Sequence, residues 1–305
     1  MAQQEAISVW EQYALRPQPP VAVRMGRAVW RFIRHKPLGS FGAAVIIVLL
    51  AFAAFPGVFA THDPDAIFPP DRYQGPSFDH WFGTDQFGRD VYSRIVWGAR
   101  TSVIIGFGVV AVSTVLATLM GVISGYFGGW FDILFQRLID IAISLPGLIF
   151  IILVIQTLLE FPVLLRLILS LGVLIAFGSS RVIRGAAIAT KQFQYVEAAR
   201  VIGASDMRIV FRHVLPNVVA VILVGASIQI GSAILIESSL SFLGYGVQPP
   251  TASWGRMLND AREELVRSPH LAIFPGLVIF LAVYAFNMFG DALRDVLDPR
   301  LRGST

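Results

Sequence analysis

Side chains able to do chemistry are few in this 305-residue chain, and their spacing excludes most reactions. With no cysteine, disulfides, thiolate metal sites, iron–sulfur ligation and a thiol nucleophile are excluded together. The only two lysines, Lys36 and Lys191, follow His35 and Thr190 rather than glycine. The GxxxxGKS/T loop, whose backbone and lysine cradle a nucleotide's phosphates, is therefore missing. The five histidines, His35, His62, His80, His213 and His270, have no ligand spacing, and no protein metal site is expected from them. Among carboxylates Glu237 stands apart as the only acid between Val218 and Leu243. An ionisable group inside an apolar run is either functional, paired with a neighbouring arginine, or placed at the interface.

The elements that carry these residues follow from composition. Hydrophobic residues make up 55% of the chain and charged residues 14%, and mean hydropathy is +0.67. Soluble domains carry about 25% charged residues, so an ordinary soluble enzyme is excluded. A membrane helix needs about 20 apolar residues, and six segments qualify: Leu38 to about Ala60, Thr101 to Phe127, Leu138 to Leu159, Val163 to Ser180, Val218 to Leu243 and Leu271 to Phe289. Pro146 predicts a kink in the third. The fold expected is all-α and integral to the membrane, with six transmembrane helices. Residues 1–36 read as a polar arm and a short interfacial helix, and 37–60 as an anchor retained because it is too long and too late for a cleaved signal peptide. Residues 61–100 form an outer loop and 101–293 a core containing the loops 190–217 and 246–270. Residues 294–305 form the tail. Any Ser/His/Asp triad would straddle the bilayer, so no catalytic residue is assigned.

Lysine and arginine set the orientation. Of 24 such residues, 16 lie before the first span, between spans two and three, after span four or in the tail. The positive-inside rule then places both termini in the cytoplasm. The net charge of +4 becomes a topology signal rather than a nucleic-acid footprint.

The segment Gln194 to Asn217 reads as a helical hairpin. Gly203 suits the C′ position of its first helix, Ser205 the N-cap of its second, and Pro216 its end. Asp206 in the first turn and Arg212 and His213 in the last match the helix dipole. Met207, Ile209, Val210 and Val214 are expected to leave a face for docking. Such a hairpin either carries a push from a partner into the membrane or merely connects two spans.

Glu197-Ala198-Ala199, Gly203 and Leu215-Pro216 resemble the EAA loop of ABC-importer permeases, the part that docks on the ATPase. The chain is further similar to the C-subunit type of the dipeptide/oligopeptide/nickel permeases through FGTDQFGRDVYSR (Phe82 to Arg94), GAR (Gly98 to Arg100), GYFGGWFD (Gly125 to Asp132), ESSLSFLGYGVQPPTASWG (Glu237 to Gly255) and FPGL with AFNMFGDALRDVLDPRLR (Phe274 to Arg302). The likeness runs from about residue 30 to the C-terminus; His80-Trp81 departs from it, since a proline more often follows that histidine. It implies a type I importer permease in a bacterial or archaeal inner membrane, which forms half of the translocation path for peptides, nickel chelates, glutathione or other small solutes. Its implied partners are a homologous second permease, two ATPases that bind ATP and magnesium, and an extracytoplasmic substrate-binding protein. This chain would hold no cofactor and bind no nucleic acid. Glu197, Ala198, Ala199, Gly203, Ala204, Ser205, Arg208, Leu215 and Pro216 would then couple to the ATPase. An autonomous secondary transporter or channel and a non-transporting scaffold are the competing classes; scarce intramembrane charge disfavours the first of them.

Polar residues within spans, Gln156, Gln229, Ser232, Glu237, Ser238 and Asn287, either line a path or join helices. Gly121, Gly125 and Gly129 recur every four residues, a close-packing pattern. Phe87, Val91 and Ile95 at i, i+4, i+8 predict an amphipathic helix on the outer surface. With Asp85, Arg89, Asp90, Arg94, Pro249 and Trp254, it would meet the binding protein, gate the path or seal the rim. Arg294 and Asp298 form an i, i+4 pair in the tail.

Overall fold

The computed structural model describes residues 23, 26, 30 and 32–297. Most of the N-terminal arm, with its expected interfacial helix, and Asp298 of the tail pair lie outside the described residues. The described chain is helical: α1 Pro37–Ala54, α2 Pro56–Phe59, α3 Val91–Phe127, α4 Gly129–Ser144, α5 Gly147–Thr157, α6 Val163–Lys191, α7 Gln194–Val201, α8 Asp206–Ile209, a π-helical segment Val210–Val214, α9 Leu215–Phe242, α10 Trp254–Asp260 and α11 His270–Leu297. Five helical stretches are long and apolar enough to cross a bilayer: α1, α3, α6, the run Asp206–Phe242 and α11. Counted as one span, the bent α4–α5 pair makes a sixth.

That pair carries the kink expected at Pro146 within Leu138 to Leu159, as a full break between two helices. The two helices are bent by 99° at their junction. Leu145 takes an extended backbone (ψ 138°), as the residue before a proline prefers, and Pro146 starts the new helix. α1 ends at Ala54, short of the expected Ala60, whereas α3 and α6 outrun their hydropathy windows because charged residues at their ends are paired. Arg184 and Arg181 extend α6 while binding Asp132 and Asp140, and Arg94 extends α3 while contacting Asp65.

The expected amphipathic surface helix is absent for the same reason. α3 starts at Val91 with Asp90 as N-cap, whose side chain accepts from Ser93 N. Val91 and Ile95 are buried, so this turn is the root of span two, and Phe87 lies in the preceding loop.

α3 packs along α6, α9 on α11, and α11 on α1. Gly121 and Gly125 permit the first contact: a Cβ there would meet the Ser180 and Arg184 carbonyl oxygens at 2.6 and 2.8 Å. Gly129 does not join this stripe. It opens α4, one residue beyond the break at Gly128, with φ +61°. One core cluster fills the bundle around Ile105, Leu171, Ile234 and Phe286. A second gathers Tyr126, Ile183, Val196, Ile209 and Val214 beneath the α7–α8 corner.

Candidate coupling corner and translocation groove

The α7–α8 corner is built by a terminus the sequence made legible. Gly203 has φ +82°, which its lack of a Cβ permits. Ala204 N donates to Ala199 O and Gly203 N to Arg200 O, both at 3.0 Å, the bonding of a Schellman cap. Ser205 occupies the N-cap position of α8 without a side-chain cap bond. The hairpin does not end before Pro216, which corrects that expectation. Pro216 has no N–H for an α-helical bond; the chain widens into the π segment, where Leu215 N donates to Val210 O, and continues as span five. Arg212 and His213 therefore sit inside a continuous run rather than at a C-terminus.

The docking face is also different. Ile209, Val210 and Val214 are buried and root the corner in the second core cluster. The solvent-facing apolar side chains are Val201 (82% exposed), Ile202 (83%), Phe211 (62%) and Met207 (58%). Glu197, Ala198, Gly203, Ser205, Arg208 and Pro216 are exposed around them, Ala204 and Leu215 are half-buried, and Ala199 is buried.

Residues outside the expected set tie this corner to the spans. Tyr126 Oη donates to Asp206 Oδ1 at 2.6 Å, joining the end of α3 to the start of α8. Lys191 Nζ donates to the Tyr126 carbonyl at 2.5 Å. Arg184 grips Asp132 with two bonds, Nε to Oδ1 at 2.6 Å and a terminal nitrogen to Oδ2 at 2.5 Å. Ser124 also bonds Asp132. Arg200, on α7, donates to the Tyr126 hydroxyl oxygen, which raises the pKa of its guanidinium. The sequence held these residues in and around GYFGGWFD, but distances of 52 to 80 positions gave no pairing signal.

A groove of about 250 Å³ lies between α3, α6 and α9, lined by Thr114, Ile175, Gly178, Ser179, Val221 and Gln229 among others. Gln229 Oε1 accepts from Ser113 Oγ at 3.2 Å. Of the polar span residues named from sequence, Gln229 alone lines this groove. Gln156 faces a different cavity, Ser232 is exposed, and Asn287 bonds the Val283 carbonyl of its own helix. Glu237 has no arginine partner among the described residues and is fully buried. Its Oε1 accepts from Ser241 Oγ at 2.7 Å and its Oε2 from Ser238 Oγ at 3.5 Å. Glu237 and Ser238 thus belong to packing between α9 and α10, not to this groove.

At the opposite end the loop residues expected to meet a receptor are mostly interior. Asp85, Arg89, Asp90 and Arg94 are each under a tenth exposed. Asp85 Oδ1 caps Phe87 N and Arg89 N at 2.8 and 3.0 Å, and its Oδ2 accepts from Arg89 Nε at 2.7 Å. Arg94 donates to the Pro64 carbonyl at 3.0 Å. Trp254 is completely buried and donates from Nε1 to Ile95 O at 3.0 Å. Pro249 alone of the six is exposed. The histidines also depart from expectation: His62 and His80 converge on Asp90.

Comparison with known proteins agrees with this architecture. Residues 117–303 match the family described as the binding-protein-dependent transport system inner membrane component. Residues 24–76 match the N-terminal TM domain of oligopeptide transport permease C. The glutathione transport system permease protein GsiD of Escherichia coli O6:K15:H31 is 41% identical over 275 residues, 90% of each chain. GsiD of Pectobacterium atrosepticum is 39% identical over 277 residues, covering 90% of this chain and 91% of that one.

Proposed function

The chain belongs to the family of binding-protein-dependent transport system inner membrane components, as a multi-pass inner-membrane permease subunit of an ABC importer, and on that premise we propose how it couples and what it carries. The α7–α8 corner lies in the cytoplasm with both termini, and docks on an ATPase subunit. The single observation that supports this most is the apolar set Val201, Ile202, Met207 and Phe211, presented to solvent on a corner whose other face is rooted in the core. An exposed cluster of this kind marks an interaction surface.

ATP and magnesium are bound and ATP is hydrolysed by two partner subunits; this chain contributes no catalytic group. Nucleotide-driven movement at the corner passes through Gly203 and the Tyr126–Asp206 bond into α3, and through the π segment into α9. These two helices flank the groove at Gln229, so corner motion alters half of the path. A homologous permease supplies the other half, and an extracytoplasmic receptor delivers the solute. The substrate class is glutathione or a short peptide, supported by the relatives named above.

The test is reconstitution with receptor, second permease and ATPases in proteoliposomes. Gly203→Pro, which cannot adopt φ +82°, and Glu197→Lys are expected to abolish substrate-stimulated ATP hydrolysis and uptake. Retention of both activities would reject the coupling assignment. Uptake of labelled glutathione and of dipeptides, compared in the same vesicles, decides the substrate.

A further inference from the structure

His62, His80 and Asp90 come from three separate pieces of chain, the segment after α2, the outer loop and the N-cap of α3. One ligand atom from each lies within 4.8 Å of the others. His80 Nδ1 is 2.9 Å from Asp90 Oδ1 and His62 Nδ1 is 3.9 Å from Asp90 Oδ2. The rings face each other with centroids 4.8 Å apart. We propose that these three side chains form a binding site for a divalent transition-metal cation of the zinc type, held as a resident ion rather than as cargo.

The chemistry of the donors selects the ion. Two imidazole nitrogens and one carboxylate suit borderline cations and are poor ligands for magnesium or calcium, which prefer all-oxygen shells. Metal–nitrogen and metal–oxygen bonds of about 2.0–2.1 Å in a tetrahedron place ligand atoms roughly 3.3 Å apart. The separations, 2.9 Å to Asp90 Oδ1 and 3.9 Å to its Oδ2 with none in the set above 4.8 Å, lie around and above that value, so binding requires the two imidazoles to close in by side-chain rotation.

The surroundings orient the ligands. Asp90 Oδ2 accepts from Ser93 N at 2.7 Å, and Thr61 Oγ1 lies 3.4 Å from the same oxygen; Thr61 Oγ1 is also 3.0 Å from His62 Nδ1, a contact that an ion bound at that nitrogen would replace. His62 N donates to Ser93 Oγ at 2.9 Å, fixing the segment that carries the first ligand to the helix that carries the third. Such outer contacts set ligand geometry in metal sites. Asp90 has a side chain 1% exposed, His80 13% and His62 40%. The fourth coordination position therefore opens on the His62 side, toward water or an exogenous ligand. A bound ion would staple the end of the first span to the start of the second and order the loop between them. This site is independent of the transport reading.

The test uses the full-length permease, purified in detergent without a polyhistidine tag and stripped with a chelator. Titration with Zn²⁺ against a competing chromophoric chelator is expected to show one saturable equivalent, and Co²⁺ to give the intense visible bands of a tetrahedral complex. His62→Ala, at the most exposed ligand, is expected to weaken Zn²⁺ binding about tenfold or more while leaving the monodisperse elution profile unchanged. The His62→Ala/His80→Ala pair should abolish binding, and His213→Ala should leave it intact. The proposal is overturned if the parent chain shows no saturable micromolar binding, or if the double variant binds as tightly as the parent.

Discussion

At the outer-loop end of the bundle, Asp85, Arg89 and Arg94 are almost wholly buried and bonded to one another or to backbone, whereas at the α7–α8 corner Val201 and Ile202 point out more than four-fifths exposed. The first end places charge inside and satisfies it within the chain. The second places hydrocarbon outside and leaves it uncovered by any described residue. A buried charged network is rigid because each member lost leaves another unpaired, while an exposed apolar corner gains free energy only when a partner covers it. The contrast assigns structural work to the outer end and recognition to the corner, the reverse of what charge alone suggests.

The strongest challenge to this contrast is Asp85→Ala. It removes the carboxylate next to Arg89 and Arg94 and should cost about 3–5 kcal/mol, read as a large fall in the melting temperature of the solubilised chain. A melting temperature equal to the parent's would mean the outer network is not structural. Next is Ile202→Asp, expected to weaken co-purification with the ATPase by about 2 kcal/mol, roughly thirtyfold in Kd, with thermal stability unchanged. If stability falls and association does not, the two regions have been assigned the wrong way round.

Tyr126→Phe sharpens the comparison at the junction of corner and spans. Loss of its bond to Asp206 should remove about 1 kcal/mol and lower the solute moved per ATP hydrolysed, while ATPase association persists. The smallest effect is expected for Lys36→Ala. Its ion pair with Asp295 is about 40% exposed on both sides, so less than about 1 kcal/mol is at stake. A drop of several degrees in melting temperature there would show that exposed pairs matter more in this bundle than the contrast allows.

Local signals were read well from the sequence and long-range ones poorly. Gly203 and Ser205 marked the corner because a C′ glycine and an N-cap serine act over four or five residues. Pro216 misled, since a proline that normally ends a helix is here absorbed by a π turn. The pattern Phe87, Val91, Ile95 suggested a surface helix because periodicity reports a buried face without saying what covers it. Arg94, Arg181 and Arg184 shortened the expected spans, their carboxylate partners lying 29, 41 and 52 positions away.

The sequence by itself determined a membrane protein of helical spans, the position of the hairpin between two of them and the family motifs, because hydrocarbon thickness, helix rise and capping chemistry act on contiguous residues. Only the tertiary structure decided which face of the hairpin is exposed, that Glu237 is packed away from the groove, that α4 and α5 are bent by 99°, and that His62 and His80 meet at Asp90. Those outcomes depend on which helices lie side by side, and in a bilayer that choice is made by small residues such as Gly121 and Gly125 and by paired charges distant in the chain.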